Sequence, residues 1–185
     1  MAYYLTTANI HVPPATSTVA TAGTGNGLAV TDGTNVPAGN FSANKVFNAV
    51  WNDVADFQLL NDKFIPGKCY VDHIEGARIA SQRCQMGVIG IASDTFGYGV
   101  GSGANESEVP IAIAGWVLAF VDQEYPCGTP LTCNENGELT EMSLEEKRDY
   151  PERIVGIYKK PERNKEFGPN KNKILVNGRH WVKVK

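Results

Sequence analysis

Two carboxylates, Asp53 and Asp56, are the side chains whose type and spacing could support chemistry. They lie three residues apart within the stretch 42–61, in which apolar side chains predominate. A pair of carboxylates can act as acid and base in the cleavage of a polar bond. Two acids beside an apolar stripe are nevertheless more often the solvated edge of a core element. The nearby Asn52 and Asn61 offer hydrogen bonds but no base, so both interpretations stay open.

The cysteines and histidines show no spacing that predicts a metal site. They are Cys69, Cys84, Cys127, Cys133, His11, His73 and His180. No Cys-x-x-Cys pair occurs and the histidines are far apart, so we expect no metal and no organic cofactor. Cys69 and Cys84 lie in apolar strand contexts and are predicted to be buried thiols. Cys127 and Cys133 flank a predicted hairpin and could approach each other as a disulfide.

The sequence also lacks the motifs of conventional hydrolases and metalloenzymes. It has no Gly-x-Ser-x-Gly and no His-Glu-x-x-His. The glycine-rich segment 96–105 does not end in Gly-Lys-Ser/Thr, so it does not match a phosphate loop. A net charge of -3 gives no electrostatic reason to expect nucleic acid or a membrane surface as a partner. No segment reaches the roughly 18–20 apolar residues that a membrane-spanning helix needs.

Both acids fall in the one long helix that the sequence predicts, residues 42–61. Ser42 is a suitable N-cap, and no proline interrupts the run. Apolar residues recur along it at about 100° per residue, at Val46, Phe47, Val50, Trp51, Val54 and Phe57. Either this helix only plugs a β-fold, or its apolar face also meets copies of itself on a symmetry axis. In the second case the subunit contacts would come from Phe47, Val50, Trp51, Val54 and Phe57.

The segment before the helix, residues 1–41, has few large apolar groups and is rich in Thr, Ala and Gly. Such a segment cannot bury enough surface to fold alone. Its pieces TSTVAT and GLAVT are β-prone, so we predict either an extended arm that orders against a neighbour or a disordered tail. The first residues, MAYYLTTANIHVPP, lack the charged and apolar regions of a signal peptide. We therefore expect synthesis in the cytoplasm.

From residue 63 onward the chain is predicted to be all β, with short strands and frequent turn signals. Asn-Gly pairs at 136–137 and at 177–178 are strong hairpin signals. Ser143 and Glu146 form a capping box, which predicts a single helical turn. An apolar content of 42% in 185 residues is enough for one packed core and a tail.

The β part carries an internal repeat: MGVIGI is echoed by RIVGIY, and IAGWV is echoed by VNGRHWV. The predicted units are 63–122 and 123–185, packed about a pseudo-twofold axis. Their shared core is predicted to hold Val88, Ile89, Ile91, Ile113, Ile154, Val155, Ile157 and Val176. The predicted fold is thus mainly β: a short-strand β-sandwich or clip-like β-domain with an internal duplication, preceded by one amphipathic α-helix and an extended N-terminal arm. The predicted domains are 1–41 and 42–185.

Several of these runs resemble the C-terminal domains of bacteriophage fibres and appendages: AVWNDVADF, PGKCYVD, GARI, MGVIGIAS, VPIAIAGWV, CGTPLT and IVGI. Over roughly residues 44–185 the chain is similar to the peptidase G2 family, the intramolecular chaperone domain of podophage neck appendages. The resemblance implies an amphipathic helix before a β-fold, a trimer and, in some members, self-cleavage from the fibre. It also implies that Asp53 and Asp56 are the candidates for carboxylate-driven self-cleavage.

These features predict a virion structural protein, namely a head fibre, a decoration protein or a tail-fibre component. We expect a homotrimer on the phage particle, bound to other virion proteins through its arm, with no nucleic-acid or membrane partner. The alternative is a chaperone domain that cleaves its own chain once. A second alternative is a carbohydrate-binding module for a host surface glycan. Its stacking residues would be Trp116, Trp181, Tyr98 and Tyr125.

Overall fold

Strands dominate the part of the chain that the structure describes. The structure, a computed structural model, describes residues 52–101, 107–168 and 173–185. All of these belong to the compact unit Val46–Lys185, and the predicted arm 1–41 lies outside the described residues. The mainly β content confirms the predicted fold class at that level. The strands are β1 (Asp53–Leu59), β2 (Cys69–Val71), β3 (Arg78–Ile79), β4 (Val88–Ala92), β5 (Phe96–Val100), β6 (Glu108–Ala119), β7 (Pro130–Cys133), β8 (Leu139–Glu141), β9 (Gly156–Pro161), β10 (Glu166–Phe167), β11 (Ile174–Leu175) and β12 (His180–Val184).

Helical structure is confined, among the described residues, to α1 (Leu144–Asp149) and the 3-10 turn Pro151–Arg153. The predicted capping box is confirmed at the start of α1. The backbone N–H of Glu146 donates to Ser143 Oγ at 3.1 Å, and the N–H of Ser143 donates to Glu146 Oε2 at 2.8 Å. Two of the donors that a helix start leaves free are thereby satisfied. In the described part of the chain, no helix has the length and apolar character that a bilayer crossing requires.

One sheet contains most of the strands. Eight of them follow one another in the order β3-β2-β4-β6-β12-β9-β7-β8, and β1 lies between β6 and β5. The pairings in this sheet are antiparallel, except that β1 and β5 run parallel. Strands β10 and β11 form a separate hairpin. The β6–β12 pairing therefore joins the strands of the first half of the body to those of the second half.

The two Asn-Gly signals both mark turns, but they close in different ways. Asn177 and Gly178 both have positive φ, at 52° and 76°, as a type I′ turn requires. At 136–137 only Gly137 has a positive φ, and the side chain of Asn134 closes this turn by accepting two backbone N–H groups. The turn at 136–137 joins the paired strands β7 and β8, whereas β12, after the turn at 177–178, pairs with β6 and β9.

The predicted helix over 42–61 is wrong where the structure tests it, because residues 53–59 form β1. Residues 42–51 lie outside the described residues. Between β5 and β6, each edge of β1 finds backbone partners, which offset the loss of the helical hydrogen bonds. Val54 and Phe57 are also β-prone residue types. Pairing with strands more than forty residues away therefore overrides a local helical pattern.

The largest core cluster draws on both halves of the strand order, from Ile91 and Val117 to Leu131, Tyr158 and Val182. Among the predicted core residues, Ile91, Val155 and Val176 are buried, and four are half-buried: Val88, Ile89, Ile154 and Ile157. The prediction is wrong for Ile113, which is 43% exposed. Ile113 falls at the β-bulge where the β1–β6 register shifts, and the bulge directs its side chain outward.

Candidate functional site

Asp53, at the start of β1, is fully buried although it carries a carboxyl group. It lies opposite Phe96 of β5 and Gly115 of β6. Gly115 has a φ of 100°, and a Cβ atom there would lie 2.5 Å from the carbonyl oxygen of Asn52 and 2.8 Å from Asp53 Cα. Only glycine permits this backbone approach, so Gly115 is what allows β1 to enter the sheet at Asp53.

Two buried hydroxyl groups accompany the carboxylate. The side chains of Ser93 and Thr95 come from the short connection between β4 and β5 and are both fully buried. Thr95 Oγ1 donates to Asp53 Oδ1 at 2.9 Å, and the backbone N–H of Thr95 donates to Ser93 Oγ at 3.0 Å. The two hydroxyl oxygens lie 3.3 Å apart. Asp53, Ser93 and Thr95 thus form one connected polar cluster, which we call the Asp53 cluster.

The electrostatics of this cluster make Asp53 a weaker acid than an exposed aspartate. Burial raises the pKa of Asp53 from 3.8 to about 6, because a charged carboxylate loses its hydration. The hydroxyls of Ser93 and Thr95 lower this pKa in part, and the neighbouring charge of Asp94 raises it. Within the described residues, neither Asp53 Oδ2 nor Asn52 Nδ2 has a hydrogen-bond partner, although both atoms are buried. The cluster therefore holds unused hydrogen-bonding capacity beside a carboxyl group that titrates near neutral pH.

An ion pair holds the connection that carries the two hydroxyls. The guanidinium of Arg179 donates to both carboxylate oxygens of Asp94, at 2.7 and 2.9 Å. It also donates to the carbonyl oxygens of Leu175 and Val176, and its side chain is only 2% exposed. A Cβ atom at Gly67 would lie 2.6 Å from Arg179 Cδ, so glycine there makes room for the side chain. Arg179 thereby fixes Asp94, which stands between Ser93 and Thr95.

The two acids singled out from the sequence do not converge. Asp56 is half-buried, and its Oδ2 accepts a hydrogen bond from Gln58 Nε2 at 2.6 Å. Asp53 instead contacts Thr95, the residue directly before β5. In a strand, residues three apart point to opposite faces. The structure thus assembles Asp53 with hydroxyl groups and leaves Asp56 outside the cluster.

The residues predicted for the subunit contact are also separated. Val54 is half-buried and lies opposite Tyr98 and Ala114, which are exposed. Phe57 packs edge-on against Phe96, with ring centroids 5.6 Å apart. A helix would have placed Val54 and Phe57 on one face, and the strand does not. Phe47, Val50 and Trp51 lie outside the described residues.

The aromatic residues considered for sugar stacking have other neighbours. Trp181 is buried, and its Nε1 donates to Glu162 at 2.8 Å. The hydroxyl of Tyr125 donates to Asp122 at 2.7 Å. The ammonium of Lys159 lies 4.0 Å from the ring centre of Trp116. Only Tyr98, of these four, presents a largely exposed ring, so the set does not form a shared platform.

All four cysteines are free thiols. Cys127 is exposed in the turn before β7, whereas Cys133 is buried at the end of that strand, so the two are not bonded to each other. In the described residues, no group of three or more histidines, cysteines or acids is arranged to hold a metal ion.

Sequence reasoning missed Ser93, Asp94, Thr95 and Arg179. The available signal was the polar triplet Ser-Asp-Thr between two apolar strands, VIGIA and FGYGV. Thr95 contacts Asp53, which is 42 residues away, and Asp94 contacts Arg179, which is 85 residues away. No local pattern reveals contacts over such separations. In comparisons of the chain with protein families, curated proteins and solved structures, nothing matched.

Proposed function

We propose that this protein is a structural component of a bacteriophage particle and that it assembles as a homotrimer. One observation carries the proposal: an apolar row crosses three strands at the edge formed by β5. Ala114 of β6, Val54 of β1 and Tyr98 of β5 lie directly opposite one another. Ala114 is exposed, and Tyr98 is 54% exposed. Directly opposed residues share one face of a sheet, so the three side chains form a continuous surface.

The same edge offers backbone groups for pairing. Within the described residues, β5 pairs only with β1, and its other edge has no strand against it. Val100 of β5 and Ile113 of β6 add apolar side chains that are each 43% exposed, and Asp56, opposite Val100, borders this surface. An edge strand with exposed apolar residues favours addition of a strand from another chain. A second copy of this protein is the occupant we propose, and the resemblance to phage appendage domains supports threefold symmetry.

Light scattering on the full chain tests the assembly. We expect a trimer at micromolar concentration, and Tyr98→Lys should shift it toward monomer because the substitution places a charge in the contact. Ile74→Lys is the matched control, since Ile74 is 98% exposed and lies in the β2–β3 hairpin. A monomeric wild-type protein would contradict the proposal, as would a Tyr98→Lys trimer. Antibody labelling of the native particle in electron micrographs would then locate the protein on the virion.

The body of this component is, in our proposal, a clip-like β-domain made of two copies of one unit. The strand order supports this, because β3-β2-β4-β6 in one half corresponds to β8-β7-β9-β12 in the other. The registers correspond as well. Cys69↔Ile91 and Tyr70↔Gly90 in the first half match Pro130↔Ile157 and Leu131↔Gly156 in the second. A crystal structure in which segments 63–122 and 123–185 do not superpose strand for strand would contradict the duplication.

A second candidate function is a single self-cleavage, which the Asp53 cluster favours. Thr95 Oγ1 donates to Asp53, so Asp53 accepts its proton while the oxygen attacks a backbone carbonyl. The peptide C–N bond then breaks, the amine leaves with the proton that Asp53 returns, and an ester remains on Thr95. Water would then release the acyl group and restore the hydroxyl. A pKa near 6 leaves Asp53 able to take up a proton at neutral pH. The enclosed position suits a segment of the same chain better than a diffusing substrate.

Intact mass spectrometry over time tests the cleavage. If it occurs, a shorter chain accumulates in the wild type and in Asp56→Asn, and it is absent in Asp53→Asn and Thr95→Val. A wild-type mass that stays constant would exclude this second function and leave the structural role untouched.

A further inference from the structure

Three of the four thiols are gathered in the interior. Cys69 and Cys133 are fully buried, and Cys84 is 6% exposed. Cys69 and Cys133 belong to the main core cluster, where β2 and β7 contribute one cysteine each. Cys84 lies in the connection between β3 and β4, in the other half of the strand order from Cys133. The thiols thus meet where the two halves of the body pack together.

A backbone hydrogen bond connects Cys84 to Cys133. The N–H of Cys84 donates to the carbonyl oxygen of Cys133 at 2.8 Å. With standard backbone dimensions, a single N–H···O=C bond of this length keeps the two Cα atoms about 5–6 Å apart. Disulfides need Cα atoms roughly 4.4–6.8 Å apart. This hydrogen bond therefore brings the backbones of Cys84 and Cys133 into the distance range of a disulfide.

The sulfur of Cys133 also points toward this partner. Its Sγ accepts the backbone N–H of Gln85, the residue after Cys84, at 3.3 Å. It lies 3.4 Å from the carbonyl oxygen of Gln82 on the other side of Cys84. Both contacts place the Cys133 sulfur against the segment that carries Cys84.

Cys84 itself adopts an unusual backbone conformation. Its φ is 51°, and the only other described non-glycine residue with a positive φ is Asn177, in an Asn-Gly turn. The left-handed backbone region is unfavourable for residues with a side chain, and cysteine has no local advantage in it. Arg153 holds this conformation, because its Nη1 donates to the carbonyl oxygen of Cys84 at 3.0 Å. The fold thus keeps Cys84 in a strained conformation beside Cys133.

We propose that Cys84 and Cys133 are a redox-sensitive pair that forms a disulfide between the two halves of the body. The oxidant is a low-molecular-weight disulfide. The thiolate of Cys84, the less buried of the two, attacks it to form a mixed disulfide and release one small thiol. The thiolate of Cys133 then displaces the second small thiol and forms the Cys84–Cys133 bond. Two protein thiols are oxidised, and one small disulfide is reduced to two thiols.

Mass spectrometry on the full-length protein tests the pair. The protein is incubated with oxidised glutathione, the remaining thiols are alkylated, and the chain is digested without reduction. We expect a linked peptide containing Cys84 and Cys133, an alkylated Cys69 and an intact mass lower by two hydrogen atoms at this pair. The cross-link should also move the urea midpoint upward, and a dithiol reductant should reverse that shift.

Variants distinguish the Cys84–Cys133 disulfide from oxidation at other cysteines. Cys127→Ser is the matched control and should keep the linked peptide, whereas Cys84→Ser should lose both the link and the shift in urea midpoint. A wild-type Cys69–Cys133 peptide would overturn the assignment. So would oxidation confined to the exposed Cys127, or four alkylated thiols after incubation. None of these outcomes depends on the proposed role in the virion.

Discussion

Asp53 shows how burial changes the behaviour of a single residue. Its carboxyl lies in a polar cluster of two hydroxyls and is shielded from water, and the pKa rises to about 6. An acid whose pKa is higher in the folded than in the unfolded state binds its proton more tightly when folded. Its contribution to stability is therefore present below about pH 4 and is lost as the pH rises through 6.

Asp53→Asn should remove this pH dependence. Above pH 7 the wild type carries a buried charge that the amide lacks, so the variant should be the more stable by on the order of 2–3 kcal/mol. At pH 4 the difference should largely vanish. Urea unfolding at both pH values measures it. Thr95→Val removes a hydroxyl that lowers the pKa of Asp53, so it should move the transition to higher pH. If Asp53→Asn differed from the wild type by the same free energy of unfolding at both pH values, the raised pKa of Asp53 would be wrong.

The Asp94–Arg179 ion pair makes a second residue-scale prediction. Asp94→Ala leaves a guanidinium that is 2% exposed without its charged partner, which should cost about 3 kcal/mol or more. The double variant Asp94→Ala with Arg179→Met should be more stable than the sum of the two single losses predicts. A double-mutant cycle by urea unfolding gives the coupling energy. Strictly additive losses would show that the pair contributes no coupling.

At the scale of elements, β1 depends on a glycine in β6. Gly115→Ala should destabilise the protein by more than about 2 kcal/mol, because the new Cβ would collide with the backbone of Asn52 and Asp53. Gly87→Ala is the matched control. Gly87 also has a positive φ, at 79°, but nothing lies within 4 Å of the added atom. It should cost only about 1 kcal/mol from backbone strain. Similar losses in the two variants would mean that β1 does not pack against Gly115.

At the scale of the whole molecule, the body should unfold as one unit. Leu131 is fully buried in a core cluster to which both halves contribute. Leu131→Ala should cost about 2–5 kcal/mol and move a single transition to lower urea without changing its slope. Circular dichroism and tryptophan fluorescence should report coincident curves, since Trp116 and Trp181 pack in one cluster at the β6–β12 junction, where the two halves meet. Two separate transitions would mean that the halves are independently stable.

Features that depend on a few neighbouring residues could be predicted from the sequence alone. Alternation of short apolar runs with turn residues indicated the β class correctly. The capping box at Ser143 and the turns at Gly137 and Gly178 formed where their residue types indicated. In each case the deciding hydrogen bond or φ angle involves residues within four positions of one another, so local chemistry suffices.

The other features depend on contacts between residues that are distant in sequence. The apolar residues of segment 53–59 have a spacing that suits one face of a helix. The segment forms strand β1 because it pairs with β5 and β6. Asp53 contacts Thr95 and not Asp56, because Asp56 lies on the other face of the strand. The pairing of β1 with β5 places the Thr95 hydroxyl next to Asp53. Arg179 reached Asp94 across 85 residues of sequence. These contacts follow from which strands pair, and strand pairing depends on how the whole chain buries its apolar surface and satisfies its backbone hydrogen bonds.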